Sequence, residues 1–165
     1  MKRSTVAKTF TMAAVIALAL GMSATAKADD KGCSNATLRG TYAYTSTGSI
    51  TTPPDLAGPI AEVGTQTFDG KGATTASATL SSNGTILQLA ITGTYTVNPD
   101  CTATATINVY QSGTLVRITT LNVVYVNNVQ DAHAIFTSLV LQPSGTALPT
   151  VITVDLKRLF PRHGD

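Results

Sequence analysis

Three side chains of the sequence are candidates for acid–base chemistry: Glu62, Arg117 and His133. Glu62 is the only glutamate, and Arg117 is a candidate partner for it. A carboxylate on an inward strand face would have a raised pKa, which is how enzymes obtain an acid or base that works near neutral pH. The commoner position for such a charge is a solvated strand edge, and that is the prediction for Glu62. Arg39 presents the same two alternatives.

His133 lies in a segment where Ile135 and Leu139 alternate with it and share its face. If this face points inward, His133 is a candidate general base. The commoner role of a histidine near a strand end is a rim residue that is hydrogen-bonded to the backbone. The second histidine, His163, belongs to the polar tail 161–165.

Other catalytic arrangements are missing from the sequence. It contains no Gly-x-Ser-x-Gly motif of a nucleophilic serine. Two distant histidines do not supply the three or four ligands that zinc needs. The Gly70-Lys71-Gly72 segment fits a hairpin turn rather than a phosphate-binding loop. No catalytic residue is therefore assigned, and no cofactor or metal ion is predicted.

The elements that must position these side chains are β-strands. Apolar residues recur at every second position from Leu38 onward, and Gly-, Asn- or Pro-containing turns interrupt them. Threonines fill many of the intervening positions; there are 29 of them, against 20 charged residues. Their branched Cβ suits strands better than helices. The alternation predicts eight strands: 38–47, 60–68, 73–82, 85–97, 101–111, 114–126, 131–142 and 150–158.

Eight consecutive strands joined mostly by tight turns form an up-and-down meander. An open sheet of this kind has two exposed edges, and closure into a barrel removes them. The predicted fold is therefore all-β, an eight-stranded antiparallel barrel. A two-sheet β-sandwich is the alternative that the same alternation permits.

The first 28 residues have the layout of a secretory signal peptide. A positively charged start precedes an apolar run from Phe10 to Met22, and the small-x-small triplet Ala26-Lys27-Ala28 follows. The run is shorter than the about 20 apolar residues that a membrane span needs. We expect cleavage between Ala28 and Asp29 and export to the periplasm or the extracellular space. The mature chain would be a single barrel domain, residues 29–160, followed by the tail, with no membrane-spanning segment.

The charge of the mature chain differs from that of the precursor. The precursor carries +2, and residues 1–28 contain four cations and no acid, which leaves −2 after cleavage. The remaining lysines and arginines are scattered. Nucleic-acid binding requires clustered cations that neutralise phosphates, so no nucleic-acid partner is predicted.

The two cysteines, Cys33 and Cys101, both belong to the mature part. An even number of cysteines in an exported chain usually means a disulfide bond. Two free thiols or a metal pair are the alternatives, and neither has further ligands at suitable spacing.

A set of structural motifs resembles a recurrent pattern of small exported bacterial proteins. These motifs are Cys33-Ser34-x-x-x-Leu38-x-Gly40-x-Tyr42, Phe68-Asp69-Gly70-x-Gly72 and Gly93-x-Tyr95-x-Val97-x-x-x-Cys101-Thr102. The apparent architecture of those proteins is similar to calycin-type barrels, the group that includes lipocalins and allene oxide cyclase-like proteins. The resemblance covers about residues 33–102 and implies the barrel and the disulfide. It assigns no catalytic residue.

The functional prediction is a non-enzymatic exported binding protein whose barrel takes a small apolar ligand in its mouth or interior. An isomerase or cyclase is one alternative, with Glu62, Arg117 or His133 lining the cavity. A structural or surface protein with a filled barrel is the other. These hypotheses differ in which side of the sheet the three side chains face and in the volume enclosed there.

Mass spectrometry of the protein purified after export tests the predicted signal-peptide cleavage and the predicted disulfide together. We expect the mass of a chain that begins at Asp29, increased by two hydrogens when the protein is reduced. A mature mass that still includes residues 1–28 would contradict the signal peptide. A mass that reduction leaves unchanged would contradict the disulfide.

Overall fold

The computed structural model describes residues 32–160. The predicted signal peptide, its cleavage point at Ala28 and Asp29, and His163 lie outside the described residues. The described chain forms a 3₁₀ helix and eight strands in the following order. The helix is Asn35–Leu38, and the strands are β1 (Gly40–Ile50), β2 (Gly58–Phe68), β3 (Ala73–Ser82), β4 (Thr85–Val97), β5 (Thr102–Gln111), β6 (Thr114–Val126), β7 (Asp131–Leu141) and β8 (Thr150–Arg158).

The strands form a closed antiparallel up-and-down barrel, as the sequence predicted. Each strand pairs with the next, and β1 also pairs with β8, from Tyr42 opposite Arg158 to Ile50 opposite Thr150. This last pairing removes both edges of the meander. The barrel is confirmed, and the sandwich alternative is wrong because all eight strands belong to one closed sheet.

The strand limits follow the alternation of the sequence closely. The largest difference is in β1, which begins at Gly40 and continues to Ile50. Leu38 was predicted to be the first strand residue but ends the 3₁₀ helix, where it is fully buried. An inward-facing apolar residue satisfies the period-two pattern in either structure, so the pattern does not separate them.

Threonines cover much of the outer surface of the barrel. Thr92, Thr94 and Thr96 on β4 are exposed, as are Thr104 and Thr106 on β5. Their neighbours in sequence point inward and form the core. Core residues from these two strands include Leu89, Ile91, Tyr95, Val97, Ala103 and Val109.

One end of the barrel is filled by side chains. The ring of Phe68 lies edge-on to those of Tyr42 and Tyr95, at centroid distances of 5.4 and 5.1 Å. Arg158 lies over the Tyr42 ring, 4.7 Å from its centroid, and donates a hydrogen bond of 2.8 Å to the Arg39 carbonyl. The 3₁₀ helix covers this end, and Leu38 packs into the core. We call it the closed end.

The predicted disulfide joins Cys33 to Cys101, with their Cα atoms 4.8 Å apart. It connects the segment before the 3₁₀ helix to the residue before β5. The Cys33 N–H also donates to the Pro99 carbonyl at 3.1 Å. The disulfide therefore holds the helical segment against the closed end.

The opposite end carries the connections β1–β2, β3–β4, β5–β6 and β7–β8. We call it the open end, because a cavity described below lies beneath it. The β1–β2 loop contains Leu56, and the β7–β8 connection contains Leu148, whose backbone N–H donates to the Leu139 carbonyl at 2.9 Å. Both leucines line that cavity.

Replacing both cysteines, Cys33→Ser with Cys101→Ser, should lower the free energy of unfolding by about 4 kcal/mol. The disulfide spans 68 residues of sequence, and opening such a loop increases the entropy of the unfolded chain. Urea denaturation of the variant and of the oxidised protein measures the difference. The wild-type protein under reducing conditions is the control and should match the variant. Equal stability of the variant and the oxidised protein would contradict the prediction.

Candidate functional site

A buried ion pair crosses the interior of the barrel. Glu62 lies on β2 and Arg117 on β6, strands that are opposite each other in the closed order of eight. Arg117 Nη2 is 2.8 Å from Glu62 Oε2, and the two side chains are 10% and 5% exposed, respectively. The pair therefore spans the lumen and connects two opposite walls.

Tyr44 on β1 is the second hydrogen-bond partner of the Glu62 carboxylate. Its hydroxyl donates a 2.6 Å hydrogen bond to Glu62 Oε1. Its cross-strand neighbour is Gly64, where a Cβ would lie 2.9 Å from the Tyr44 ring. The absence of a side chain at Gly64 thus lets the ring lie against β2. Burial, followed by the nearby Glu62 charge, raises the pKa of Tyr44, so the phenol remains a neutral donor.

A β-bulge accompanies Arg117. Val109 on β5 pairs with Arg117, and the next residue, Tyr110, pairs with Leu115, which leaves Val116 as an extra residue on β6. Bulges of this kind redirect side chains relative to the regular alternation. Val116 and Arg117 are neighbours in sequence, yet both line the cavity under the open end.

The ion pair forms part of a small cavity, which we call the chamber, whose lining combines six polar residues with seven apolar ones, among them Ile91, Phe136 and Val154. It has a volume of about 50 Å³. Its polar lining residues are Tyr44, Ser46, Glu62, Gln66, Arg117 and Thr119. Three buried polar atoms of these lining residues have no hydrogen-bond partner within residues 32–160: Ser46 Oγ, Thr119 Oγ1 and Arg117 Nε. Buried polar atoms normally have a hydrogen-bond partner, so three such atoms without one in a single cavity lining require an explanation.

A larger apolar cavity lies toward the open end, and we call it the mouth. Its volume is about 220 Å³. Its apolar lining residues are Ile50, Leu56, Leu80, Leu87, Leu89, Val109, Val116, Leu139, Leu141 and Leu148. The mouth and the chamber share Val109 and Arg117. Arg117 therefore lies at the boundary between the two cavities.

The structure brings together two of the three candidate residues. Glu62 and Arg117 are paired inside, so the prediction of a solvated edge position for Glu62 is wrong. The error has a physical cause: Glu62 follows the inward alternation of β2, and closure of the barrel provides a cation from the opposite wall. Arg39 is exposed and does not line either cavity.

His133 is outside the barrel. Its side chain is 68% exposed, and its Nδ1 lies 2.7 Å from Oδ1 of Asp155 on β8. Both sequence interpretations of it, an inward base and a backbone-bonded rim residue, are therefore wrong. A bulge in β7 is the reason: Thr120 pairs with Ser138 and Leu121 with Phe136. The skipped residue reverses the alternation, so Leu139 points inward while His133 points outward.

Tyr44, Ser46 and Thr119 belong to the chamber but were not candidates from the sequence. A signal for them exists. Each occupies an inward position of its strand, and Ser46 and Thr119 are polar residues where the alternation calls for apolar ones. Such exceptions identify chamber residues only when the inward face of each strand is already known.

No cluster of three or more metal-ligating side chains occurs within residues 32–160. Over the same residues, no helix has the length and apolar character to cross a membrane.

Comparison with protein-family models finds no match, and comparison with curated proteins finds none either. Among solved structures, the crystal structure of Rv2717c from M. tuberculosis is similar to this chain with a TM-score of 0.39. The sequence identity is 16%, over 75% of this chain and 94% of that chain. Similarity at this level carries no argument about function, so the site is interpreted from its own side chains.

The substitution Arg117→Met should destabilise the protein by about 3–5 kcal/mol, because it leaves the Glu62 carboxylate buried without its cation. The double variant with Glu62→Gln should recover much of this loss, since no buried charge remains. Urea denaturation of wild type, both single variants and the double variant gives the coupling energy. Additive effects of the two substitutions would show that the pair is not coupled.

Proposed function

We propose that the protein is an exported small β-barrel that binds a small, largely apolar molecule in its mouth. The observation that carries the proposal is the apolar mouth of about 220 Å³ beneath the open end. Cavities with mainly apolar walls and a few convergent polar groups are the usual form of small-molecule sites. The mouth lies toward the open end, and aromatic rings and Arg158 pack across the lumen at the closed end, so the ligand would enter through the open end.

The volume of the mouth limits the size of the ligand. An engineered protein cavity of about 150 Å³ binds benzene. On that scale the mouth, at about 220 Å³, accommodates about nine carbon atoms. Drug-sized ligands occupy sites of about 300–1,000 Å³, so the proposed ligand is smaller.

Export and membership of a calycin-like group are parts of the proposal. Export is supported by the signal-peptide pattern of residues 1–28 and by the Cys33–Cys101 disulfide, because such bonds persist in oxidising compartments. A closed eight-stranded barrel with an internal cavity is the architecture that the calycin resemblance implies.

An isomerase or cyclase is the second candidate, because Glu62 and Arg117 converge at the chamber. We place binding first for a geometric reason. One carboxylate oxygen of Glu62 accepts from Tyr44 and the other from Arg117, so the group is held by partners rather than presented to a substrate. A structural protein with a filled barrel would not need the space found in the mouth.

Butylbenzene tests the proposal, since its carbon count is close to the capacity of the mouth. Titration calorimetry should show saturable binding with a negative heat-capacity change, the mark of apolar burial. Leu87→Trp should weaken binding at least about tenfold, because the indole ring is larger than the leucine side chain and fills part of the mouth. Ile86→Trp is the matched control: Ile86 is adjacent but 62% exposed, so affinity should not change.

Thermal unfolding of both tryptophan variants establishes that each is folded. Absence of binding to the wild-type protein, or equal weakening by both variants, would overturn the mouth as the binding site. The fate of candidate ligands after incubation separates the two functions. Recovery of unchanged ligand supports binding, whereas conversion to an isomer would favour the enzyme.

A further inference from the structure

The chamber beneath the mouth indicates what kind of ligand the barrel takes. We propose that it receives a neutral, hydrogen-bonding head group, such as a hydroxyl or a primary amide, while the apolar part of the same molecule fills the mouth. The proposed ligand class is a neutral amphiphile rather than a carboxylate of fatty-acid type. This inference rests on the proposed function and specifies its ligand.

The first support is the group of unpartnered polar atoms in the chamber. Ser46 is 2% and Thr119 is 1% exposed, and neither hydroxyl has a hydrogen-bond partner among the described residues. Arg117 Nε is also unpartnered. A buried polar group that lacks a hydrogen bond is costly, and the three residues that carry these atoms line one cavity. A polar ligand group placed there would offer them hydrogen-bond partners.

The second support is the hydrogen-bonding character of these atoms. Each hydroxyl can donate and accept, whereas Arg117 Nε only donates. A group that both donates and accepts complements this set, and hydroxyl and amide groups do so. The chamber, at about 50 Å³, is larger than the about 10–15 Å³ that one water molecule requires. It therefore has space for one small head group or a few water molecules.

The third support is the charge balance of the chamber. The Arg117 guanidinium is already neutralised by Glu62, at 2.8 Å. A ligand carboxylate would add a second negative charge to a buried site that contains a single cation. Like charges brought together in such an environment are strongly unfavourable. The existing ion pair thus selects against anionic ligands. An unpaired arginine inside the barrel would instead attract them.

The position of Arg117 joins the two parts of the site. Because it lines both cavities, a head group bonded to its Nε lies at the boundary, with the rest of the molecule directed toward the open end. The apolar walls of the mouth then contact the hydrocarbon part. One elongated molecule with one polar end fits this arrangement.

Three ligands that share one hydrocarbon skeleton test the inference: 4-phenyl-1-butanol, 4-phenylbutanoate and butylbenzene. Titration calorimetry is performed at about pH 8, where the carboxylate is ionised. The alcohol should bind about fivefold more tightly than butylbenzene, because it gains hydrogen bonds in the chamber. It should bind at least about tenfold more tightly than the carboxylate.

Two hydroxyl deletions, Ser46→Ala and Thr119→Val, locate the head group. Each should reduce the affinity for the alcohol by about threefold to fivefold and leave that for butylbenzene unchanged. Thr104→Val is the matched control, because Thr104 is exposed on the outer face. The same loss in the control variant would overturn the placement in the chamber.

The substitution Glu62→Gln tests the charge argument separately. It removes the negative charge but keeps the shape, so Arg117 becomes available to an anion. The affinity for 4-phenylbutanoate should rise at least about tenfold relative to that for the alcohol. If Glu62→Gln does not fold, the wild-type comparison of the alcohol with the carboxylate still decides the preference for a neutral group.

The outcomes distinguish the two proposals. Equal affinities for the alcohol and butylbenzene would mean that water alone occupies the chamber; the mouth site would stand and the head-group inference would fail. Binding of the carboxylate as tight as that of the alcohol would overturn the neutral preference. If none of the three ligands binds, the proposed function fails and this inference fails with it.

Discussion

The pairing of β1 with β8 is the constraint on which the rest of the structure depends. It closes the sheet, so the two faces of the meander become an inside and an outside. Every inward residue then faces another strand across a narrow lumen. Glu62 and Arg117 are 55 residues apart in sequence, and closure is what brings their side chains within hydrogen-bonding distance. An open sheet of the same strands would leave both charges without a partner.

The ion pair divides the lumen into regions of different character. Toward the closed end, aromatic rings and the 3₁₀ helix fill the space, and the disulfide holds that helical segment in place. Toward the open end, leucines and valines line the mouth but do not fill it. Between them lies the chamber, where polar side chains that include the ion pair share the lining with apolar ones. The lumen thus has a packed closed end, a chamber of mixed lining that holds the ion pair, and an apolar mouth.

The sequence predicts the fold far better than the site. Alternation and turn residues are local properties, and they identify the eight strands. The closed barrel follows from the need to remove the edges of such a meander, and the disulfide from an even number of cysteines in a chain predicted to be exported. The environment of Glu62 is not local, because its burial requires Arg117 from the opposite wall. His133 shows a second limit of prediction from the sequence. The bulge at Thr137 changes which residues of β7 face inward, and the residue types around it do not predict a bulge. Ser46 and Thr119 are polar residues at inward positions, and this exception cannot be recognised before the inward face of each strand is known.

The threonine-covered exterior has a consequence for the response of this protein to its surroundings. The sequence has 12% charged residues, and one acid and one cation among them are paired inside the barrel. Hydroxyl groups take the place of surface ion pairs in contacting water. Dissolved salt acts on proteins largely by screening exposed charges, and this exterior offers few. We therefore expect the stability of the folded barrel to depend only weakly on ionic strength, a property that comes from its outward residues and is independent of anything it holds.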